Sequence, residues 1–278
     1  MSGTVPTSPG IAFDSAAASY DRSFEANPVT RETRTVVWDI LQEYFRPGDR
    51  VLDLNCGTGT DAVMLASRGI NVTSIDSSAR MIDEASRKAR EKTLGHLVTT
   101  RLLALEDIGS LSGEGPFDGA LSDFGGLNCV GDLRAVLAGL AGILKPGAPF
   151  IACIMNRTPL WEMAAFLSRL RWRKAFRRFA VGGTMAPVGT GSVHVWYYSP
   201  RQFSQLMEPW FRPERIEGLN ILSPPPGSSG FARRHPGLTA RLLKLDASLR
   251  GKYPWYALGD HFIVCARRIN ANLSGIDA

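Results

Sequence analysis

The sequence predicts an α/β fold in which a doubly wound, mostly parallel sheet carries helices on both faces. Strand-like apolar segments alternate with amphipathic helical segments between residues 50 and 155. The strands are almost continuously apolar, which is typical of strands that helices bury on both sides. A length of 278 residues, with 44% hydrophobic and 21% charged residues, suits one large core that carries an insertion.

The chain before the first strand is predicted to form a flexible arm and two helices. Residues 1–12 form the arm, and FDSAAASY (13–20) forms a short helix. The segment 29–44 repeats apolar residues on one helical face, and Pro47-Gly48 ends this second helix.

From residue 50 onward, strand and helix patterns alternate. The predicted strands are RVLDLN (50–55), NVTSID (71–76), VTTRLLAL (98–105), FDGALSDF (117–124) and PFIACIM (149–155). The predicted helices between them are 61–68, 78–92 and 132–144. This alternation defines a core over residues 13–156.

The regular alternation ends after Asn156. The predicted elements beyond it are a basic helix and glycine-rich stretch (157–192), a strand in VHVWYYS (193–199), a helix (200–210), a strand (215–222), a loop (223–230), a basic helical region (231–250) and a last strand in DHFIVCARR. The predicted boundaries are an insertion at 157–198, a C-terminal part of the core at 199–270 with its own insertion at 223–258, and a tail at 271–278.

The net charge of +6 is concentrated in one segment. RLRWRKAFRR, from Arg169 to Arg178, holds six basic residues, no acid and interleaved aromatic side chains. Four interpretations stay open: a solvated helix face, a nucleic-acid site, peripheral contact with an acidic membrane surface, or an acidic substrate. No nucleic-acid-binding motif accompanies the segment, so nucleic acid is the less expected partner.

Neither membrane insertion nor metal binding is predicted. No apolar run approaches the roughly 18 residues that cross a bilayer, and MSGTVPTSPG lacks the features of a secretory signal, so we expect a cytoplasmic protein. The cysteines are Cys56, Cys129, Cys153 and Cys265. They form no CxxC pair, which favours reduced thiols over disulfides or a zinc site.

Four polar features fall where the predicted strands end. They are NCGTGTD after the first strand, Asp76 at the end of the second, Glu106-Asp107 after the third and DFGG (123–126) after the fourth. Ligands of open parallel sheets bind at these carboxyl ends, where glycines let backbone amides approach them. One acid after a strand is more often a helix cap. Four such features in consecutive units predict a site for a nucleotide-like ligand.

These motifs resemble those of the class I S-adenosylmethionine (SAM) dependent methyltransferases. VLDLNCGTG (51–59) is similar to the glycine-rich first motif, commonly written VLDLGCGTG. SIDSSARMIDEASRKA (74–89) resembles the second motif, ALEDIGSL (104–111) the third, and LKPGAPFI (144–151) the turn and strand that close the core. FDSAAASYD (13–21) resembles the N-terminal helix that covers the cofactor in many members.

The resemblance implies a Rossmann-like sheet of seven strands, with the insertion placed where the family builds a cap over its substrate. It also implies methyl transfer from SAM, which leaves S-adenosylhomocysteine. The cap contains large apolar residues, namely Trp161, Met163, Phe166, Leu167, Trp172, Phe176 and Phe179. They suggest an apolar pocket rimmed by arginine, although such residues are equally typical of a core. DFGGLN follows the fourth strand in place of an amino-methylating D/N-PPY motif, which favours a small, largely apolar organic acceptor, methylated on oxygen or nitrogen. The oligomeric state is not predicted.

Individual roles follow from the resemblance. Asp53, Gly57 and Gly59 are expected to hold the methionine part, and Asp76 the ribose. Met81 and Ile108 are expected to enclose the adenine, and Asp107 to bind its amino group. The full set of expected cofactor-binding residues is Tyr20, Asp53, Asn55, Gly57, Gly59, Asp76, Ser77, Met81, Glu106, Asp107, Ile108, Ser122, Asp123 and Phe124. Asn55 stands where the family has glycine, and asparagine tolerates the positive φ that the turn is expected to need.

A general base is harder to assign. Histidine is the usual base at neutral pH, and His194 lies between the insertion and the core. His96 and His235 are expected in surface loops, and His261 begins the last strand. A structural histidine remains the commoner alternative, and an acceptor nitrogen or stabilised carbon needs only alignment. The candidate catalytic residues are therefore His194 and Tyr20.

Three other functions stay open. Gly57-Thr58-Gly59-Thr60-Asp61-Ala62 also matches GxGxxA, the fingerprint of an NAD(P)-dependent oxidoreductase, although no Tyr-x-x-x-Lys pair accompanies it. A SAM-binding regulatory protein without catalysis is the second alternative, and RNA methylation is the third.

Overall fold

The computed structural model describes residues 8–269, which form a seven-stranded sheet, flanking helices and a separate two-stranded hairpin. The strands are β1 (Arg50–Asp53), β2 (Asn71–Asp76), β3 (Val98–Leu102), β4 (Gly119–Ser122), β5 (Pro149–Met155), β6 (Thr184–Val188), β7 (Gly191–Val195), β8 (Phe211–Leu219) and β9 (His261–Arg268). The helices are α1 (Pro9–Asp14), α2 (Ala17–Glu25), α3 (Pro28–Tyr44), α4 (Thr60–Ala66), α5 (Ala79–Glu91), α6 (Leu133–Ile143), α7 (Leu160–Leu167), α8 (Trp172–Ala175), α9 (Pro200–Met207), α10 (Ser229–Arg234) and α11 (Pro236–Leu249). Short 3₁₀ helices cover Leu105–Gly113, Gly126–Cys129, Arg177–Phe179, Pro226–Ser228 and Trp255–Ala257.

The strand order confirms the predicted mostly parallel, seven-stranded sheet. It is β3-β2-β1-β4-β5-β9-β8. Strands β1 to β5 pair in parallel, while β9 runs antiparallel to both of its neighbours, β5 and β8. The chain first builds outward from β1 to β3 and then returns to place β4 on the other side of β1. The connections therefore diverge between β1 and β4, which opens a crevice at their carboxyl ends.

Side-chain alternation along the strands separates two apolar cores, one on each face of the sheet. In β5, Phe150 and Ile154 belong to the core that packs against α6, while Ile151 and Cys153 belong to the core on the side of α3 and α4. All four side chains are at most 2% exposed. Burial on both sides explains the continuous apolar sequence of this strand.

The N-terminal segment differs from its prediction. Residues 8–12 do not extend as an arm, because Pro9–Asp14 forms α1 and a second helix begins at Ala17. Residues 1–7 of the expected arm lie outside the described residues. Tertiary contact explains α1, since Gly10 approaches the Ser77 carbonyl so closely that a Cβ would overlap it. A helix of six residues is too short to show an apolar periodicity, so the sequence pattern could not predict this contact with Ser77.

The insertion after β5 also differs. The basic segment is not one helix: α7 ends at Leu167, Leu170 adopts a left-handed φ of 55°, and α8 covers only Trp172–Ala175. The glycine-rich stretch forms β6, which turns at Gly189 (φ 54°) and pairs antiparallel with β7. In residues 8–269, no helix combines the length and apolar character that a membrane crossing needs.

Candidate active site

A cavity of about 640 Å³ opens at the carboxyl ends of β1, β2 and β4. One wall consists of the loops that follow these strands, together with α1, α2 and α3. The other consists of the β6–β7 hairpin and apolar residues near it. Of the residues expected from the sequence, those that line the cavity are Tyr20, Asn55, Gly57, Asp76, Ser77, Met81, Glu106, Asp123 and Phe124.

The glycine-rich loop places its two glycines in left-handed conformations. Gly57 has a φ of 52° and lines the cavity. Gly59 has a φ of 74°, is the N-cap residue of α4 and lies against α5, where a Cβ would come within 2.7 Å of Ala85. Gly59 therefore does not line the cavity, but it is required for the close packing that shapes the loop.

Asn55 is not the positive-φ residue that its position suggested. Its side chain instead crosses from the β1 loop to the β4 loop: Nδ2 donates to the Asp123 carbonyl at 2.7 Å, and Oδ1 accepts from the Ser122 hydroxyl. A Cβ on Gly126 would overlap this side chain. Gly126 thus leaves the space that the Asn55 side chain occupies. Ser122 binds Asn55 and does not line the cavity.

Asp76 is held by the backbone on both of its oxygens. Gly57 N donates to Oδ2 and Ser78 N donates to Oδ1, each at 2.9 Å. Burial raises the pKa of Asp76 despite these hydrogen bonds. Met81 begins the next helical turn, and its backbone N–H is capped by Ser78. Asp76 and Met81 both line the cavity.

The residues of the third motif that line the cavity lie earlier in the chain than expected. Glu106 lines the cavity together with Leu103, Ala104 and Leu105, whereas Asp107 does not. Ile108 turns away and is buried against Gly139 of α6. The cause is the 3₁₀ helix at Leu105–Gly113, which is separated from the end of β3 by two residues and rotates successive side chains by about 120°.

The acids near β1 and β4 contain buried carboxylate oxygens without a hydrogen-bond partner. These are Oδ2 of Asp53 and Oδ2 of Asp123, within the part of the chain that the structure describes. Burial, reinforced by the neighbouring acids, raises the pKa of Asp53 well above its usual value. Burial also raises the pKa of Asp123. Asp123 lines the cavity, while Asp53 lies behind it.

One cation, Arg34 of α3, faces these acids in the cavity wall. Its Nε lies 3.7 Å from Asp61 Oδ1, and its guanidinium stacks on Phe24 and Phe124 at 4.8 and 5.1 Å. Its Nε has no hydrogen-bond acceptor among the described residues. Sequence reasoning missed Arg34 because nothing in the pattern of α3 distinguishes it from a solvated basic residue.

These groups fit the methionine part of SAM. That part carries an ammonium and a sulfonium, for which the carboxyl groups of Asp123 in the wall and Asp53 behind it would offer negative potential when ionised. It also carries a carboxylate, for which Arg34 offers a donor with free capacity. Two acids and one arginine thus match a ligand that carries both signs of charge, with positive charge in excess. No group of acids, histidines or cysteines in residues 8–269 is arranged to hold a metal ion.

The N-terminal helices are fastened over the cavity by polar contacts. Asp14 accepts hydrogen bonds from Ser78 Oγ and Arg80 N at 2.6 and 3.0 Å. Asp21 accepts from Thr58 Oγ1 at 2.5 Å and pairs with Lys88 at 2.8 Å. Burial would raise the pKa of Asp21, but the hydrogen bonds from Lys88 and Thr58 outweigh it and lower the pKa. Tyr20, carried by α2, thereby faces the cavity.

The expectation that His194 faces the cavity is wrong. In β7, Val193 and Val195 line the cavity, and His194 between them projects to the opposite face. There it stacks on Trp196 with ring centroids 4.1 Å apart and contacts the Gly182 carbonyl through Nε2. The described contacts of His194 are thus with Trp196 and Gly182 rather than with the cavity.

The apolar wall comes from the hairpin, not from the aromatic residues of α7 and α8. It is formed by Phe13, Cys129, Val130, Met155, Ala186, Pro187, Val188, Val193 and Val195. None of the cap residues expected to form it, from Trp161 to Phe179, lines the cavity. Burial raises the pKa of the Cys129 thiol to about 11, so this thiol stays protonated at neutral pH.

Comparison with known proteins agrees with the motifs. Residues 51–147 match a family described as a methyltransferase domain. A demethylmenaquinone methyltransferase from Symbiobacterium thermophilum is 29% identical over 168 residues, covering 58% of this chain and 64% of the relative. A ubiquinone biosynthesis O-methyltransferase from Xanthomonas campestris is 34% identical over 113 residues, covering 41% and 46%. The chain thus spans about half to two thirds of the length of these relatives.

Among solved structures, a putative S-adenosylmethionine dependent methyltransferase from Listeria monocytogenes superposes with a TM-score of 0.58 at 18% identity, covering 84% of this chain and 96% of that one. This likeness shows a shared fold. No comparison supports an oxidoreductase. Residues 51–147 are thus similar to a methyltransferase domain, and the sheet order is part of the fold that the chain shares with that methyltransferase.

Proposed function

We propose that this protein transfers the methyl group of SAM to a small, largely apolar organic acceptor. The observation that carries the proposal is the pairing of two unlike walls in one cavity. One wall presents buried acids and Arg34, and the other presents the valines and Met155 of the hairpin side. A charged cofactor and an apolar acceptor would each meet the wall that suits it.

In this proposal, the residues around the glycine-rich loop hold the cofactor. Asp76 would accept the ribose hydroxyls with the lone pairs that its two backbone donors leave free. Met81 and Leu105 would pack on the adenine, with Glu106 in place of the expected Asp107 near its amino group. Arg34 would bind the methionine carboxylate. The bound cofactor supplies an electrophilic methyl group on a sulfonium.

The protein's contribution to the reaction would be alignment and exclusion of water. On the described apolar wall, Cys129 is the ionisable side chain, and its raised pKa makes it a poor base at neutral pH. Burial likewise raises the pKa of the Tyr20 phenol above its ordinary value of 10. Neither group would accept a proton readily, so the acceptor would bring a nucleophile that is already available, such as an amine, an acidic phenol or a stabilised carbon.

The first test compares ligands by thermal shift. We expect SAM and S-adenosylhomocysteine to raise Tm, and NADH and NADPH to leave it unchanged, because only ligands that bind the folded state stabilise it. Stabilisation by NADH alone would favour the oxidoreductase alternative. The second test incubates the protein with SAM and a panel of apolar amines, phenols and quinols, and measures S-adenosylhomocysteine and methylated product by mass spectrometry. Binding of SAM with no product from any acceptor class would favour the regulatory alternative.

A further inference from the structure

The insertion carries a surface on which large apolar side chains are exposed beside unpaired basic ones. We name residues 169–181 the basic-apolar strip. Leu170 is 77% exposed, Trp172 59%, Phe176 45% and Val181 92%. Apolar residues of this size are scattered singly on most soluble surfaces, and a contiguous group of them marks an interaction site.

The positive charges of this strip divide into two kinds. Arg177 and Arg178 pair with Glu162 at 2.8 and 2.5 Å, and Arg178 also pairs with Asp260 at 2.7 Å, so two acids balance these two charges within the fold. The exposed residues Arg169, Arg171, Arg173 and Lys174 form no ion pair with any described residue. No acid occurs anywhere between residues 163 and 207. The strip thus presents positive charge without local compensation.

The strip is held firmly on the body of the protein. Arg178, 6% exposed, donates to Asp260 Oδ1 at 2.7 Å and to the Asn156 carbonyl at 3.0 Å, and it stacks on Tyr197 at 4.9 Å. Asp260 directly precedes β9, the last strand of the chain, so this contact joins the strip to the core. The apolar side chains are therefore displayed by a fixed segment rather than by a loose loop.

The strip also continues into the apolar wall of the cavity. Strand β6 begins three residues after the strip. Its Met185 is 41% exposed, whereas the three residues that follow, Ala186, Pro187 and Val188, line the cavity. One β-strand therefore connects the exposed apolar surface with the wall that would contact the acceptor.

We propose that the basic-apolar strip docks this protein on an anionic lipid bilayer. Trp172 and Leu170 would enter the interfacial region, and the four unpaired basic side chains would lie at the level of the anionic headgroups. Docking would bring the hairpin side of the cavity to a surface in which apolar molecules dissolve. The docking itself rests on exposed residues alone and does not depend on methyl transfer.

Two other occupants suit the strip less well. A second copy of the chain, joined through the same surface, would place eight unpaired positive charges at one interface, a number that doubles the four of each copy. An RNA would match the charge and could stack on Trp172, but it offers no apolar partner for Leu170, Met185 and Val181. An anionic bilayer satisfies the charge and the apolar surface together.

The test is co-sedimentation of the full chain with vesicles of phosphatidylcholine, with and without phosphatidylglycerol. We expect binding only to the anionic vesicles and weaker binding at high salt. The triple variant R169Q/R171Q/R173Q should bind about 100-fold more weakly, because each basic side chain near such a surface contributes about fivefold. The double variant L170S/W172S should bind at least roughly tenfold more weakly, because it removes the inserted apolar area.

Matched controls separate the strip from general charge and hydrophobicity. R46Q/R68Q/K92Q removes three exposed charges from the segments that precede β1, β2 and β3, at the amino ends of the strands, whereas the cavity lies at their carboxyl ends. L102S removes an apolar side chain of comparable exposure, 59%, from the edge strand. Both controls should bind vesicles like the unaltered protein, and every variant should keep its Tm and its SAM affinity.

Three results would overturn the inference. The first is equal binding of the strip variants and the unaltered protein to anionic vesicles. The second is a loss in the controls as large as in the strip variants. The third is absence of vesicle binding combined with strip-dependent binding of RNA or strip-dependent dimerisation, measured by gel shift and by sedimentation velocity. Because SAM affinity is measured separately, failure of docking and failure of the proposed methyl transfer are distinguishable.

Discussion

The two walls of the cavity are built in different ways. The acids and the glycine-rich loop of the acidic wall lie at or just after the ends of β1, β2 and β4, so the ends of buried strands place them. The apolar wall uses one face of a hairpin that is inserted after β5 and contacts α1. A side chain at a strand end has its position fixed by the strand itself. The position of the hairpin depends instead on its packing against segments that are distant in the sequence. We therefore expect changes in the acidic wall to act on cofactor affinity and changes in the apolar wall to act on the acceptor.

The largest expected effect is that of Asp76→Asn. An amide at this position would turn its own N–H towards the Gly57 or Ser78 N–H, which would disturb the loop. It would also remove an acceptor for the ribose hydroxyls, and so weaken ribose binding. We expect SAM to bind roughly 100-fold more weakly by isothermal titration, with charged hydrogen bonds contributing about 1.5–3 kcal/mol each. Asp83→Asn, on the exposed side of α5, is the control. Unchanged SAM affinity in D76N would show that Asp76 does not bind the cofactor.

The apolar wall is tested by two neighbouring substitutions in β7. Val193→Thr keeps the volume but places a hydroxyl on the cavity side, and it should lower kcat/KM for the acceptor about tenfold, since an unpaired buried hydroxyl costs about 1–3 kcal/mol. The SAM dissociation constant should stay within about twofold, because the acidic wall is untouched. His194→Ala, on the outer face, should change neither kcat nor its pH profile. Loss of the acidic limb in H194A, which is the fall in kcat at low pH that a general base produces, would show that His194 is the base.

The acids predict how SAM affinity varies with pH. Burial raises the pKa values of Asp53, Asp76 and Asp123 in the ligand-free protein. The positive charges of SAM favour the ionised carboxylates, so binding releases protons and affinity increases as pH rises through these raised pKa values. S-adenosylhomocysteine lacks the sulfonium charge, and its affinity should rise less steeply. Titrations across pH in buffers of different ionisation enthalpy measure the proton release, and uptake of protons would contradict the mechanism.

The smallest expected effect is that of Asn55→Gly. It removes two hydrogen bonds that join the β1 loop to the β4 loop, so the free energy of unfolding should fall by about 1–2 kcal/mol. SAM affinity should change by less than about tenfold, because the loop glycines stay in place. Thermal unfolding and isothermal titration measure the two quantities separately. A gain in affinity of several orders of magnitude would show that the native loop is impaired.

Local sequence was sufficient for most of the core and for half of the site. The alternation of strands and helices predicted β1 to β5 and the long helices α3, α5 and α6 with errors of a few residues at their ends. Burial on two faces dictates an apolar strand, and turn chemistry dictates a glycine, so both leave a local signature. Asp76 and Met81 were identified for this reason, and both face the cavity.

Other features left no local signature. The register of β7 decides that Val193 rather than His194 faces the cavity, and a shift of one residue would have reversed this. Arg34 and the apolar wall are placed by contacts between segments that are far apart in the chain. The 3₁₀ helix after β3 moved the cavity contact from Asp107 to Glu106, although both residues lay in the predicted motif.

The sequence by itself determined the cofactor loop, the acids at the strand ends and the order of the repeating units, because each depends on neighbouring residues. Only the tertiary structure decided what Asn55 does. It lies in a backbone of ordinary φ, and its amide joins two loops that are adjacent in the sheet but 68 residues apart in the chain. The same holds for the hairpin wall and the strip beside it: the residues were visible in the sequence, but which of them face the cavity and which face solvent is settled by packing alone.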